Sequence, residues 1–168
     1  MGETKNLSNQ EAIKKIQSIA GDTDFCMFIT LLGDKPLQGR PMSTQKIDDD
    51  GNIWFFSHEE SNKNMQIKSD DNVQLFYSNN KSSEFLSVYG SAKILKDTAK
   101  AKELWTPWVK TWFPDGPKDP NLTLIKVSPQ DSYYWDTKNN RLVSLMKIAV
   151  GALTGKEMDD SREGAIKI

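Results

Sequence analysis

Leu37-Gln38-Gly39-Arg40-Pro41-Met42-Ser43-Thr44-Gln45-Lys46-Ile47-Asp48-Asp49-Asp50-Gly51-Asn52-Ile53-Trp54-Phe55-Phe56-Ser57 is the segment that decides the fold. Leu37 to Ile47 reads as an extended run. Pro41 has no N–H to give a ladder, so it belongs on a sheet edge or beside a bulge. The acidic stretch Asp48-Asp49-Asp50-Gly51 ends in Asp-Gly, a strong hairpin signal. Asn52 to Ser57 is then the returning strand. Three carboxylates in a row hint at calcium, but their spacing completes no calcium loop, and a solvated turn is expected.

The rest of the chain fits around this hairpin. On the N-terminal side, Ser8-Asn9-Gln10-Glu11 has the form of a capping box. Ala12, Ile13, Ile16 and Ile19 follow at helical spacing, giving a helix over about 8–20. Asp24 to Leu32 is a mostly buried strand. On the C-terminal side the pattern predicts a short polar helix from Glu60 to Lys68 and strands at Asn72–Ser78 and Ser83–Leu95. Helical period returns from Asp97 to Phe113, with Leu104, Trp105, Trp108, Val109 and Trp112 on one face. Leu122–Val127 and Ser132–Trp135 read as two further strands and Arg141–Leu153 as a weak helix. Thr154–Ile168 is a polar tail without periodicity. Strands in hairpin order with helices around them predict one domain over residues 1–168, a mainly β, antiparallel barrel with peripheral helices.

Composition narrows the function classes. Among 168 residues, 22 Lys+Arg stand against 23 Asp+Glu, a net charge of −1. That balance argues against nucleic acid or an anionic membrane as partner, since both call for a basic field. The longest apolar stretch, Phe25 to Leu32, falls far short of the roughly 20 residues of a membrane helix. Gly2 to Gln10 is polar, with no apolar core of a signal peptide, so a cytoplasmic location is expected. One Cys (Cys26) and one His (His58) leave no intrachain disulfide and no Cys/His zinc site. Cys26, inside Phe25-Cys26-Met27-Phe28-Ile29, has the setting of a small buried hydrophobe. Gly151 to Glu157 imitates a phosphate loop but has one residue too few between its glycines and no Ser/Thr after Lys156.

The most informative constellation joins the hairpin to the helix after it. Arg40 lies mid-strand, Phe56-Ser57 ends the returning strand, and Ser61-Asn62-Lys63 opens a helix. Arg40 and Lys63, the hydroxyls of Ser57 and Ser61, and free helix N–H groups could converge on one dianion, which is what a phosphate requires. The alternative is that both cations are solvated surface charges and Ser61 merely caps the helix. Trp105, Trp108 and Trp112 make a stripe suited to core packing, or to covering a dimer contact or a cleft. His58 is either a turn residue at the surface or a proton donor near the site.

The run Arg40-Pro41-Met42-Ser43-Thr44-Gln45, then Phe56-Ser57, then Ser61-Asn62-Lys63, resembles the FMN-binding signature of the pyridoxamine 5′-phosphate oxidase-like split barrels. Trp135 to Leu142 is similar to a tryptophan and Arg-Leu segment near the end of those oxidases. The Trp-rich helix, Ser132 to Asp136 and Leu153 to Lys156 resemble the general stress protein branch. The resemblance implies that Arg40, Lys63 and Ser61, with Asn62 beside them, hold the FMN phosphate. Pro41, Met42, Ser43, Thr44 and Gln45 would follow the ribityl chain and ring, while Phe56 and Ser57 touch the ring. It further implies a homodimer with FMN at the interface, Trp135 reaching the partner's flavin and Arg141 facing substrate.

Some positions depart from the oxidase pattern. Gln45 stands where the oxidases carry a lysine and Phe85 where they carry a flavin-contacting glutamine. Val143 replaces a histidine and Leu145 an arginine. A dianionic B6 vitamer loses its partners thereby. The expected function is FMN-dependent redox chemistry on another small molecule. Two alternatives stand beside it, a flavin-sequestering stress protein without catalysis and a haem- or deazaflavin-binding relative, for which His58 offers an axial ligand.

Overall fold

In the computed structural model, which describes residues 2–138, Lys147 and 159–168, ten strands and three α-helices form one sheet with helices around it. In chain order they are β1 (Glu3–Thr4), β2 (Leu7–Ser8), α1 (Asn9–Gly21), β3 (Cys26–Thr30), β4 (Gln38–Met42), β5 (Lys46–Ile47), β6 (Ile53–His58), α2 (Asn62–Ser69), β7 (Asn72–Asn79), β8 (Glu84–Leu95), α3 (Thr98–Leu104), β9 (Leu122–Thr137) and β10 (Ser161–Lys167). Two 3-10 segments, Pro107–Thr111 and Gly116–Lys118, lie between α3 and β9.

The β5–β6 hairpin forms where Asp-Gly announced it. The Gly51 amide donates to the Asp48 carbonyl at 3.0 Å, and Gly51 has φ 82°, open to glycine at little cost. The Asp48 carboxylate accepts from Asn52 N, Asn52 Nδ2, Trp54 Nε1 and Asp50 N, so its role is to brace the turn. Strand order is β1-β10-β9-β8-β7-β3-β4, and β6 pairs with both β9 and β5. Among the described residues β4 pairs only with β3, so the sheet does not close between β4 and β5, although only Ser43–Gln45 separate them. Pro41 sits on that open edge, where its missing N–H costs nothing.

Two apolar clusters hold the fold. The larger lies inside the curved sheet and includes Phe28, Phe55, Leu75, Val88, Ile125 and Tyr134, closed by Ile16 and Ile19 of α1. Each fully buried Ile, Leu or Phe contributes about 2 kcal/mol against an exposed chain. The smaller covers the outer side of β6 with Trp54, Leu104, Val109 and Phe113.

Several expectations are corrected. Leu37–Ile47 is two strands, because the chain leaves the sheet at Ser43 to cross the open edge. The Asp97–Phe113 helix ends at Leu104, since Pro107 cannot continue it and a 3-10 segment takes over. The tryptophan stripe therefore does not pack as a unit. Trp105 is half-buried against Phe56, but Trp108 is 81% and Trp112 70% exposed. Leu122–Val127 and Ser132–Trp135 are one strand, carried through Pro129 by a bulge at Tyr89/Gly90. Gly90 permits this, because a Cβ there would strike the Ser128 carbonyl.

The capping box is not formed. Ser8 makes no side-chain cap bond and belongs to β2. The polar tail supplies β10, which pairs antiparallel with β9 and parallel with β1 and β2, making the sheet mixed at the termini. Of the expected Arg141–Leu153 helix only Lys147 is among the described residues, and it is helical; Arg141 itself, Val143, Leu145 and the phosphate-loop imitation lie outside them.

Asp136 ties that tail down. It is buried on β9, takes two hydrogen bonds from Arg162 of β10 (2.9 and 2.7 Å) and one from Lys15 of α1 (2.8 Å). Burial alone would raise its pKa, but the bonds from Arg162 and Lys15 outweigh it and hold the carboxyl below the usual range. A depressed carboxylate stabilises the fold above its unfolded value of about 3.9 and loses that contribution as pH falls through the folded pKa. Asp136→Asn is expected to cost about 3 kcal/mol in urea unfolding at neutral pH, because two cations lose their partner. The gap from wild type should narrow as acid protonates Asp136.

Candidate functional site

The site lies at the open edge, where α2 spans from β4 to β6. Alternation along β4 puts Gln38, Arg40 and Met42 on one face, and Arg40 is directly opposite Phe28 in the register with β3. Its side chain turns in toward α2. Arg40 Nη1 donates to Thr30 Oγ1 at 2.7 Å and Nη2 to Gln66 Oε1 at 2.9 Å. Thr30, itself fully buried, donates to the same Gln66 oxygen at 2.6 Å. Gln66 Nε2 in turn donates to Gln38 Oε1 at 2.6 Å.

Lys63 stands one helical turn before Gln66, half-buried, and the two charges feel one another. Burial lowers the Lys63 pKa first and the charge of Arg40 second, and burial lowers that of Arg40. Among the described residues neither cation has a carboxylate partner. The Lys63 amine makes no hydrogen bond there, and nearby Glu59 is taken by Lys96. Two half-buried cations without counter-ions are costly unless an anion joins them.

The helix start is fixed from below. Ser57 Oγ donates to Asn64 Oδ1 at 2.7 Å and lies 3.2 Å from Ser61 Oγ. Asn64 Nδ2 donates to Thr123 Oγ1, whose hydroxyl donates to the Ser57 carbonyl. This buried network joins β6, α2 and β9. Ser61 is the N-cap, accepting from Asn64 N at 3.4 Å, and the first-turn amides of Asn62 and Lys63 have no intrahelical acceptor. Cations, hydroxyls and helix N–H groups thus gather along the first two turns of α2, and that donor set fits a phosphate dianion.

The crossing segment is anchored as well. Thr44 Oγ1 lies 2.8 Å from the buried Tyr77 hydroxyl, and Gln45 N donates to the Trp54 carbonyl at 2.8 Å. Met42 packs against the main core, while Pro41 and Ser43 are exposed. Gln45 Nε2 folds back onto the Ser43 carbonyl.

Other sequence candidates are not brought to this place. Phe56 alternates with Ser57, so its ring lies on the opposite face of β6, against Trp105 and Phe113. His58 follows it there, stacked on Phe113 with centroids 6.3 Å apart. Three strands separate Trp135 on β9 from Arg40 on β4, about 19 Å along the sheet. Trp135 faces outward opposite Phe85 and is tilted against Tyr133. Cys26 is buried beside Tyr77, and burial pushes its thiol up to about 12 despite the Tyr77 hydrogen bond, so it is no nucleophile.

Thr30, Gln66, Asn64, Thr123 and Tyr77 escaped sequence reasoning. Asn64 alone left a trace, as a poor helix former inside a short helix.

Comparison with known proteins bears on the family and the fold. The model of the family "Pyridoxamine 5′-phosphate oxidase like" matches residues 11–159. Protein bli-3 of Neurospora crassa is 29% identical over 112 residues, 62% of this chain and 54% of that protein, so the chain spans about half of bli-3. A general stress FMN/FAD binding protein from Xanthomonas citri has a crystal structure with TM-score 0.63 and 28% identity, covering 74% of this chain and 87% of that one. A crystal structure from Jannaschia sp. CCS1, named for general stress protein 26, covers 94% of this chain and 99% of its own at TM-score 0.80. At 22% identity it bears on the fold alone.

Proposed function

Because the chain belongs to the pyridoxamine 5′-phosphate oxidase-like family, we propose that it is a cytoplasmic, homodimeric, FMN-binding oxidoreductase acting on a small molecule other than a B6 vitamer. The observation that carries the reading is the Arg40–Lys63 pair, held at the open edge without a carboxylate among the described residues. Arg40, Lys63, Ser61 and the amides of Asn62 and Lys63 take the phosphate, with Ser57 supporting Ser61. Pro41 to Gln45 run along the rest of the cofactor, kept in place by Tyr77 and by the main chain of Trp54. FMN when bound supplies a two-electron redox centre, and the protein's part is to orient it and exclude water. Gln45 is neutral and turned onto its own segment, which leaves a vitamer phosphate without its cation there.

The dimer is supported by an apolar outer face. Phe25, Met27, Phe76, Phe85 and Trp135 are each at least 41% exposed, and the registers of β3, β7, β8 and β9 put them side by side. A patch of this kind on a small domain marks an interaction surface. A stress-related flavin carrier without turnover is the second reading, favoured by His58, which is turned onto Phe113 away from Ser57.

The test is an absorbance spectrum of the purified protein, before and after addition of FMN and desalting. Retained flavin bands that bleach with a reduced nicotinamide donor support the oxidoreductase. Retained bands that no such donor bleaches support the carrier. A haem or deazaflavin band in place of flavin would sink both.

A further inference from the structure

We propose that Gln66 is a positioning residue that sets the site's selectivity for a phosphate monoester dianion, and so for FMN over riboflavin, by holding Arg40 with a neutral amide where a carboxylate would serve as well structurally. The assignment of the ligand as a flavin rests on the reading given above.

An arginine on an edge strand needs an anchor if it is to wait in one rotamer, and the common anchor is Asp or Glu. Such a partner would cancel the charge that the ligand has to meet. Here the guanidinium is held by two neutral oxygens, Thr30 Oγ1 and Gln66 Oε1. Gln66 cannot drift, because Oε1 accepts from Arg40 and Thr30 while Nε2 donates to Gln38. Those contacts use two of the five guanidinium N–H groups, leaving three to donate. Gln66 and Lys63 are three residues apart on α2, so both face Arg40. The result is a rigid frame in which, among the described residues, two positive charges stand without a carboxylate partner. A phosphate monoester answers both charges. Riboflavin offers only a hydroxyl at that place and leaves the cations opposed.

Flavin fluorescence titrations of wild type, Gln66→Glu and Gln66→Met, each with FMN and with riboflavin, test this. Glu has the shape of Gln and adds one negative charge beside Arg40. Gln66→Glu is expected to weaken FMN at least about tenfold while riboflavin changes by less than about twofold, with the melting temperature unchanged or raised by the new ion pair. Gln66→Met, which removes the anchor but adds no charge, should weaken FMN less than Gln66→Glu does. An unchanged FMN-to-riboflavin ratio in Gln66→Glu overturns the inference. Equal loss of both flavins does so too, since that is the mark of a merely structural role.

Inorganic phosphate separates this inference from the flavin assignment. It should raise the melting temperature of wild type and not of Gln66→Glu. If it does so while wild type binds neither flavin, the flavin assignment falls and the anion selectivity stands. If phosphate protects both proteins alike, the role given to Gln66 falls.

Discussion

Arg40→Ala is expected to come off the final column colourless under conditions in which wild type retains FMN, with its fold intact. Removing one partner of a partly buried, hydrogen-bonded charge pair costs about 2–5 kcal/mol of binding. Arg40 is half-exposed, so the lower end of that range applies, a loss of roughly thirtyfold or more in affinity. The fold should survive because nothing is orphaned. Without the guanidinium, Thr30 Oγ1 still donates to Gln66 Oε1, and Gln66 Nε2 still donates to Gln38. One of two opposed cations also disappears, so the flavin-free variant should melt no lower than flavin-free wild type. Loss of flavin together with a large drop in melting temperature would reassign Arg40 to structure.

Lys63→Ala should behave similarly, and Lys63 also gives the site a pH signature. Burial and then the charge of Arg40 lower its pKa, so in the flavin-free protein the protonated amine opposes folding. Between its folded and unfolded pKa values the unfolded chain binds more protons, and stability therefore rises with pH in that window. FMN binding runs the other way there, because it needs the amine charged, and affinity should fall on the alkaline side earlier than an ordinary lysine would dictate. On the acid side it should fall below about pH 6, where the phosphate monoester dianion takes up a proton and becomes a monoanion. A flat affinity profile from acid to alkaline pH would count against phosphate recognition by this pair.

Local rules carried much of this fold and little of its second layer of contacts. The Asp48–Gly51 hairpin, the exposed edge at Pro41 and the Ile-rich face of α1 each follow from one residue type doing what it always does. Helical period continued through Trp108 and Trp112, but Pro107 ends the helix, and periodicity alone does not weigh a proline against it. The tail failed for the opposite reason. Ser161–Lys167 has little apolar content, and its strand is stabilised by neighbours on both sides, by Ile166 in the core and by the Arg162–Asp136 pair. No local pattern contains those partners. At the site, Arg40, Ser57, Ser61 and Lys63 were legible because phosphate chemistry requires those residue types. Thr30, Gln66 and Asn64 were not, because what matters in them is where their neutral oxygens end up.

Phe76→Lys is expected to convert a dimer into a monomer and to remove flavin with it, a loss as complete as that of Arg40→Ala but from the far side of the sheet. Phe76 is at the centre of the outer face, paired with Met27 on β3 and Ser87 on β8, and 46% exposed in the single chain. A lysine can stand there without disturbing the core, since Leu75 and Tyr77, its neighbours along β7, carry the buried side. In an isologous dimer every substitution appears twice, so two ammonium groups would have to be desolvated in one apolar contact. Light scattering should then report one chain of 19.0 kDa in place of two. The link to flavin rests on the proposed role of Trp135, which lies on this face and far from Arg40 of its own chain, as a ring wall for the site of a partner. A Phe76→Lys protein that is monomeric and still keeps FMN would show the cofactor site to be complete within one chain. One that remains a dimer would assign the apolar face to a different partner.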